Sequence, residues 1–351
     1  MEHITEAGMR FTVPGTAEIP TRSMPVFYNP EMEENREIAC AIIRAEDRPL
    51  RIALPLAGSG IRAMRMASIS RTEIQANDHA PEAFSALKKN LKGHANVTVK
   101  NQDADIFLLS SKGFDYIDID PFGSPAPFLD AAVKRLSRNG ILAVTATDTA
   151  PLCGTYPKAC RRKYGATPVR TPLMYDTGLR ILIQKIQRIG TQYEKALTPM
   201  LSYMHRHYFR VYLRCKKGKR ACDAIIDQLS MISVCAECQW HAIGLHETCP
   251  VCTASLFQTG TLWTGRLQDR HLINRLDPKG TVEKIRDELD IFGYYHIPSL
   301  CKHLGVSTPP FAAICEKIRQ TGHEVSRTHL ELQSLRTTLP LQQLLQILEK
   351  S

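Results

Sequence analysis

The chain is predicted to fold as an α/β domain of the Rossmann-like class followed by a smaller α+β unit. Three observations predict it. Short apolar runs alternate with helical stretches through the first two hundred residues, glycine-rich or acidic turns close several of those runs, and the last third changes to paired cysteine knuckles followed by a helix-turn-helix-strand pattern. With 351 residues and 43% hydrophobic content, the sequence can bury more than one core. We place the larger domain at residues 1–222 and the smaller one at residues 223–351.

The elements follow in order. Arg51 to Leu56 reads as a strand that runs into Ala57-Gly58-Ser59-Gly60, and a helix is expected from Ile61 to Ser68. Thr72 to Ala76 is a second strand ending at Asn77-Asp78. The helix after it has Pro81 near its first turn and carries on to Leu91. Val97 to Lys100 leads to Asp103-Ala104-Asp105, Phe114 to Ile119 reaches Asp120-Pro121-Phe122, and Gly140 to Thr145 forms a further strand. Repeated strand and helix of this kind gives a parallel sheet with its chemistry at the carboxyl ends of the strands.

Those strand ends carry a constellation. The small residues Gly58, Ser59 and Gly60 let a ligand approach the first turn and the next helix N-terminus closely. Asp78, just past the second strand, is placed for the two hydroxyls of a ribose. Asp103 can accept from an adenine amino group while the Ala104 backbone N–H donates to the ring edge. A glycine turn plus an acid fits a dinucleotide as well as S-adenosylmethionine. The fourth strand decides between them, because it ends in Asp118-Ile119-Asp120-Pro121-Phe122-Gly123. The amino nitrogen of a nucleobase has its lone pair delocalised into the ring, so it must be held and aimed before it attacks an electrophile. Asp120 and the Pro121 carbonyl can accept its two N–H bonds, Phe122 offers a stacking face, and proline fixes the turn. The larger domain is therefore read as a class I S-adenosylmethionine-dependent methyltransferase (Rossmann-like) fold. The first strand has Leu54 and Leu56 where many binders of this cofactor carry an acid, so Arg36 and Arg62 are the expected partners of the cofactor's carboxylate. Asp118 is expected to cap a neighbouring turn.

The formal charge of +10 points to a polyanionic partner. Between Leu201 and Arg220 there are seven cations and no acid: Arg206, Arg210, Arg214, Lys216, Lys217, Lys219 and Arg220. They are interleaved with Tyr203, Tyr208, Phe209 and Tyr212, which allows either a phosphate-contacting edge or a strand ending in a solvated basic turn. No apolar run is long enough to cross a bilayer, and Met1 to Arg10 lacks the basic-then-apolar order of a secretory signal. The expected location is cytoplasmic, with no membrane association and no obligate protein partner. Eleven cysteines would then stay reduced. Four of them form two Cys-x-x-Cys knuckles, Cys235/Cys238 and Cys249/Cys252, with ten residues between, a spacing that brings four thiolates around one structural zinc. His241 and His246 inside that loop are read as ordinary loop histidines.

In the smaller unit Gly260 to Leu267 reads as a strand, and Val282 to Leu289, Ile297 to Leu304 and Pro309 to Gln320 as helices. His323 to Leu330 reads as a strand and Leu339 to Leu348 as a final helix. The order resembles a winged helix, a shape that often grips nucleic acid.

Taken together the chain resembles the tRNA guanine-26 dimethyltransferases over nearly its whole length. The resemblance is carried by Phe27-Tyr28-Asn29-Pro30, Asn35-Arg36, Gly58-Ser59-Gly60-Ile61-Arg62, Asn77-Asp78, Asp103-Ala104 and Asp118 through Pro125. Thr147-Asp148, the cysteine knuckles and Ser326-Arg327-Thr328-His329 complete it. It implies transfer of two methyl groups from S-adenosylmethionine to the exocyclic amino group of guanine 26 in tRNA. It also implies a cofactor site lined by Arg36, Arg62, Asp78, Asp103 and Ala104, with Asp120 facing the guanine and Phe27 and Phe122 sandwiching the flipped base. Two other classes stay open on the residues: an amino methyltransferase acting on adenine or cytosine, and a zinc-containing RNA-binding protein without catalysis.

Overall fold

The computed structural model describes residues 2–13, 15, 26–277 and 279–350. It opens with an antiparallel hairpin, β1 (Glu2–Glu6) and β2 (Met9–Val13), which no sequence signal had suggested. The elements that follow are α1 (Glu33–Ala45), β3 (Leu50–Leu54), α2 (Ile61–Ala67), β4 (Thr72–Asn77), α3 (Pro81–Asn90), β5 (Val97–Lys100), α4 (Ala104–Ser110), β6 (Phe114–Ile119), α5 (Leu129–Arg135), β7 (Leu136–Ala146), α6 (Thr149–Leu152), α7 (Pro157–Tyr164), α8 (Met174–Gln192), β8 (Lys195–His205) and β9 (Tyr208–Lys217). The five strands expected in the sheet are all present. β7 begins earlier than Gly140 because Leu136 already pairs with Phe114 ahead of a bulge.

The seven strands lie in the order β5-β4-β3-β6-β7-β9-β8. β3 to β7 are parallel, while β9 is antiparallel to both β7 and β8. The order reverses between β3 and β6, and crevices at such a switch point are where open α/β sheets bind ligands. Alternation along β6 puts Ile117 and Ile119 on the face packed by α8, and Tyr116 and Asp118 on the face packed by α1 and α2. That second face also receives Ile52, Leu54, Ile141, Ala143 and Tyr212.

The remaining elements are α9 (Lys219–Ile226), β10 (Leu229–Val234), β11 (His241–Ile243), β12 (Phe257–Trp263), α10 (Arg270–Arg275), α11 (Gly280–Arg286), β13 (Tyr295–His296), α12 (Ile297–Leu304), α13 (Phe311–Gln320), β14 (Val325–Arg327), β15 (Ser334–Thr337) and α14 (Leu341–Glu349). The expected division at 222/223 falls inside α9. Cys222 and Ile225 of that helix, with Ile232, Val234, Leu262 and Trp263 of the next sheet, belong to the same apolar core as Leu179 and Ile183 of α8. The core is continuous there because the β11-β10-β12 sheet covers α8. A second core begins at the cysteine knuckles and includes Ile297, Leu300, Ile314, Ile318, Leu335 and Leu344. Around it β13, β15 and β14 form a three-stranded sheet behind α12 and α13, which is a winged-helix arrangement as the sequence predicts.

Ser326-Arg327-Thr328-His329 has a structural job. The Leu289 N–H donates to Ser326 Oγ at 2.9 Å, while Thr328 Oγ1 and His329 Nδ1 contact the buried Glu288 carboxylate at 2.7 and 2.5 Å. Arg336 then links Glu288 (2.6 Å) to Asp176 of α8 (2.8 Å), which also takes Arg180 at 2.7 Å. Burial alone would raise both carboxyls. The cations around them outweigh it and hold Asp176 and Glu288 below their ordinary values. This buried chain of charges ties the winged-helix unit to α8, which packs on the seven-stranded sheet.

Candidate active site

A cleft of about 470 Å³ opens at the carboxyl ends of β3, β4 and β6. Its floor is apolar (Met32, Leu54, Leu56, Ile61, Ala83), and Asp78, Arg36, Arg62 and Asp120 stand around it. The backbone of Phe27 crosses the first turn so closely that a Cβ on Gly58 would lie 2.9 Å from the Phe27 carbonyl oxygen. Gly58 also has φ +52°, so glycine is required on both counts. Gly60 (φ +83°) begins α2 without lining the cleft. Asp78 is held by its own loops: Oδ2 accepts from the Gly58 N–H at 2.9 Å and Oδ1 from the Ala80 N–H at 3.1 Å. Asn77 braces the neighbouring turns, donating to the Pro55 and Gln102 carbonyls and accepting from the Gln102 N–H.

Asp103 and Ala104 are not among the lining residues. Asp103 is exposed and caps α4, its Oδ1 accepting from the Asp105 and Ile106 N–H groups at 2.9 and 3.2 Å. His79, Ala80 and Phe128 line the cleft without having been singled out from sequence.

The two arginines take different positions. Arg36 donates through Nε (2.7 Å) and Nη2 (2.5 Å) to Glu6 of β1, and through Nη2 to the Asn29 carbonyl at 3.1 Å. Glu6 is buried and is shared with Arg65 and the Tyr28 hydroxyl at 2.9 and 3.1 Å. Burial raises that carboxyl, yet Arg36 and Arg65 hold it below its ordinary value. Burial together with Glu6 pushes the Tyr28 phenol up to about 12. A lone glutamate in a polar N-terminal stretch gave no sign of this role. Arg62 lies against Asn35 Oδ1 (2.9 Å) and Asp118 (3.5 Å), and pairs directly with Asp120 Oδ2. Burial works against its charge, but Asp118 and Asp120 more than compensate and keep it protonated.

Asp118 corrects one expectation: it caps no turn. It is buried and takes Arg210 through both oxygens, at 2.9 and 2.7 Å, with the Tyr116 hydroxyl at 2.8 Å. A file of alternating charge, Arg210, Asp118, Arg62, Asp120, thus runs from the core to the cleft. Arg210 is a second correction. It is fully buried and cannot touch a phosphate, and Tyr203, Tyr208, Phe209 and Tyr212 are core residues rather than stacking platforms. Strand alternation put this arginine on the inner face of β9. The other cations of that stretch separate: Arg206 sits at the hairpin turn paired with Glu31, Arg214 is half-buried on Glu46, and Lys216, Lys217, Lys219 and Arg220 form an exposed group at the far end, beside the start of β7 and away from the cleft.

The Asp120-Pro121-Phe122 turn is clamped to the end of β7. The Gly123 N–H donates to Thr147 Oγ1 at 2.7 Å, and the Thr147 N–H to the Gly123 carbonyl at 3.1 Å. Phe27 and Phe122 meet at the mouth with ring centroids 5.9 Å apart and planes at 80°. Both are exposed, but as found they form an edge contact; a base stacked between them needs parallel rings about 7 Å apart. The expected sandwich therefore requires a rotation of at least one ring.

The four knuckle cysteines come together as expected. Their Sγ atoms all lie within 4.8 Å of one another, and the histidines of the loop take no part. A tetrahedron with metal–sulfur bonds of about 2.3 Å has sulfur atoms about 3.8 Å apart, so the arrangement fits one structural ion.

The family description N2,N2-dimethylguanosine tRNA methyltransferase matches residues 8–349. The chain belongs to this family. It is 37% identical to the tRNA (guanine(26)-N(2))-dimethyltransferase of Methanothermobacter thermautotrophicus, with 95% of each chain covered. It is 32% identical to the tRNA (guanine(26)-N(2)/guanine(27)-N(2))-dimethyltransferase of Aquifex aeolicus, covering 100% of this chain and 96% of that one. Among solved structures it is similar to Trm1 from Pyrococcus horikoshii in complex with S-adenosyl-L-methionine, with a TM-score of 0.89, 29% identity and 99% of each chain covered. Among the described residues no helix is long and apolar enough to cross a membrane.

Proposed function

We infer that this chain transfers methyl groups from S-adenosylmethionine to the exocyclic N2 of guanine 26 in tRNA, giving the dimethylated base. The observation that supports it best is the position of Asp120 and Pro121. They stand at the mouth of a nucleoside-sized cleft, on the turn beyond β6, beside two exposed aromatic rings. When bound, the cofactor supplies an electrophilic methyl group. The residues that would hold it are Asp78 at the ribose, the apolar floor at the adenine, and Arg36 and Arg62 at the carboxylate end.

Arg62 engages only Oδ2 of Asp120, and Oδ1 makes no hydrogen bond within the described chain. Asp120 is thereby an ion-paired acceptor, its free oxygen directed to one N–H of the guanine amino group while the Pro121 carbonyl takes the other. Each transfer exchanges one N2–H bond for N2–CH3, the proton passing to Asp120 and the donor departing as its neutral thioether; after the first, one N–H remains for Asp120, so the second round needs no different machinery. A stacked guanine cannot reach the cleft, and Phe27 and Phe122 offset part of the cost of flipping it once their rings turn parallel. The four thiolates would hold a structural zinc, which in a closed four-sulfur site would take no part in the transfer.

The test incubates the full chain with labelled S-adenosylmethionine and an unmodified tRNA transcript bearing guanine at position 26, followed by mass analysis of nucleosides. Dimethylguanine at that position is expected, with Asp120→Ala losing on the order of 10²-fold or more in kcat while still binding the cofactor. Methylated adenine or cytosine, or tight tRNA binding without any methylation, would overturn the reading.

A further inference from the structure

We propose that helix α7 and its flanks form a phosphate-binding surface for the tRNA backbone beside the target guanine. The proposal rests on tRNA being the substrate, and it names where the substrate is gripped.

Helix α7 carries Lys158, Arg161, Arg162 and Lys163 within six residues, and Arg170 follows shortly after. Its buried side chains, Cys160 and Tyr164, are four apart and share one face. At about 100° per residue, Lys158 and Arg162 fall on the other side and Arg161 at its border, and all three are exposed. Of the cations named here, Lys163 alone has a carboxylate partner among the described residues, Asp148 at 2.9 Å. Tyr156, just before the helix, is 60% exposed.

The helix is fixed to the active site. The Tyr164 hydroxyl lies 2.9 Å from Ser124 Oγ, two residues beyond Phe122, and donates to Asp148 Oδ1 at 2.6 Å. The helix that carries the cations is therefore anchored at its C-terminal end to the loop that presents Asp120. The helix dipole favours Arg161, Arg162 and Lys163, which lie in the last turn, but it does not account for Lys158, which sits in the first turn, where a cation is unfavourable and no acid is present. Like charges three and four residues apart repel as well. The chain tolerates that repulsion where a polyanion would relieve it. The stretch 201–220 carries more cations in sequence, but Arg206, Arg210 and Arg214 are buried or paired, and the exposed group Lys216, Lys217, Lys219 and Arg220 lies at the end of β9 beside the start of β7, opposite the carboxyl-end cleft.

The experiment measures tRNA-transcript binding by the full chain between about 50 and 200 mM salt, for wild type, Arg161→Ala/Arg162→Ala and Arg161→Lys/Arg162→Lys. Methylation kinetics and cofactor affinity are measured alongside. The alanine pair is expected to lower the slope of log Kd against log salt by about 2 and to raise the tRNA KM roughly tenfold, with kcat and cofactor binding unchanged. The lysine pair keeps the wild-type slope, because a phosphate contact needs the charge. An alanine pair with wild-type slope and KM overturns the proposal. If that pair instead loses an acidic protein partner while keeping its tRNA constants, the surface belongs to a protein and the proposal equally fails. A wild-type chain that neither binds nor methylates tRNA would sink the functional reading itself, which is a different outcome from an active wild type with an indifferent variant.

Discussion

Arg210→Ala separates a residue that builds the site from one that touches RNA. Arg210 makes two hydrogen bonds to Asp118 and a third to Thr145 Oγ1 at 2.9 Å, all buried. Removing it leaves Asp118 inside the protein with Arg62 at 3.5 Å and one Tyr116 hydroxyl. Deleting one member of a buried pair costs about 3–5 kcal/mol, chiefly because the remaining charge is stranded. The pH dependence carries a sign. Burial raises the Asp118 carboxyl, but Arg210 and Arg62 outweigh it, so its folded value lies below the ordinary one. In wild type this contributes stability that is present above the unfolded carboxylate range and is lost as pH falls through the folded value. Without Arg210 burial prevails, the carboxyl rises, and the variant is penalised most at neutral pH. Urea unfolding should therefore show a wild-type advantage of about 3–5 kcal/mol near pH 7 that narrows as the pH approaches 4. Methylation should fall with it, since Arg62 and Asp120 lose their backing. The salt slope of tRNA binding should stay at the wild-type value. Near-wild-type stability with a shallower salt slope would refute this account and restore Arg210 as a phosphate contact.

Two further outcomes follow from the geometry. Gly58→Ala should weaken S-adenosylmethionine binding roughly tenfold, because positive φ and a clash with the Phe27 carbonyl together cost at least about 1–2 kcal/mol; calorimetric titration with an otherwise folded variant checks it. Cys249→Ser, or prolonged treatment with a strong chelator, should release one zinc per chain and expose the winged-helix core, since Cys235, Cys238 and Cys249 are packed against Ile297, Leu300 and Leu344. Metal analysis with limited proteolysis reads both, and an unaltered cleavage pattern after metal loss would contradict the structural role.

Much of this protein was legible in its sequence, for a physical reason. Strand periodicity, glycine turns, the Asp-Pro-Phe turn and the cysteine spacing are local patterns whose chemistry depends on neighbours in the chain. They mark β3 to β7, and the fold brings Asp78 and Asp120 to one cleft and the four thiols to one point. The Arg161-Arg162-Lys163 run of α7 is equally local, but by cation count alone the stretch 201–220 outranks it. What the sequence could not determine was which like-looking residues face inward. Arg210 and Arg206 are four residues apart on one hairpin, yet one is fully buried on Asp118 and the other is exposed at the turn. Glu6 looks like any surface acid until the hairpin folds it onto Arg36 and Arg65. Charge pairing across dozens of residues is a property of the assembled sheet. Only the tertiary structure decided that Asp118 is anchored by Arg210, that Asp120 shares Arg62 with it, and that Asp103 caps a helix.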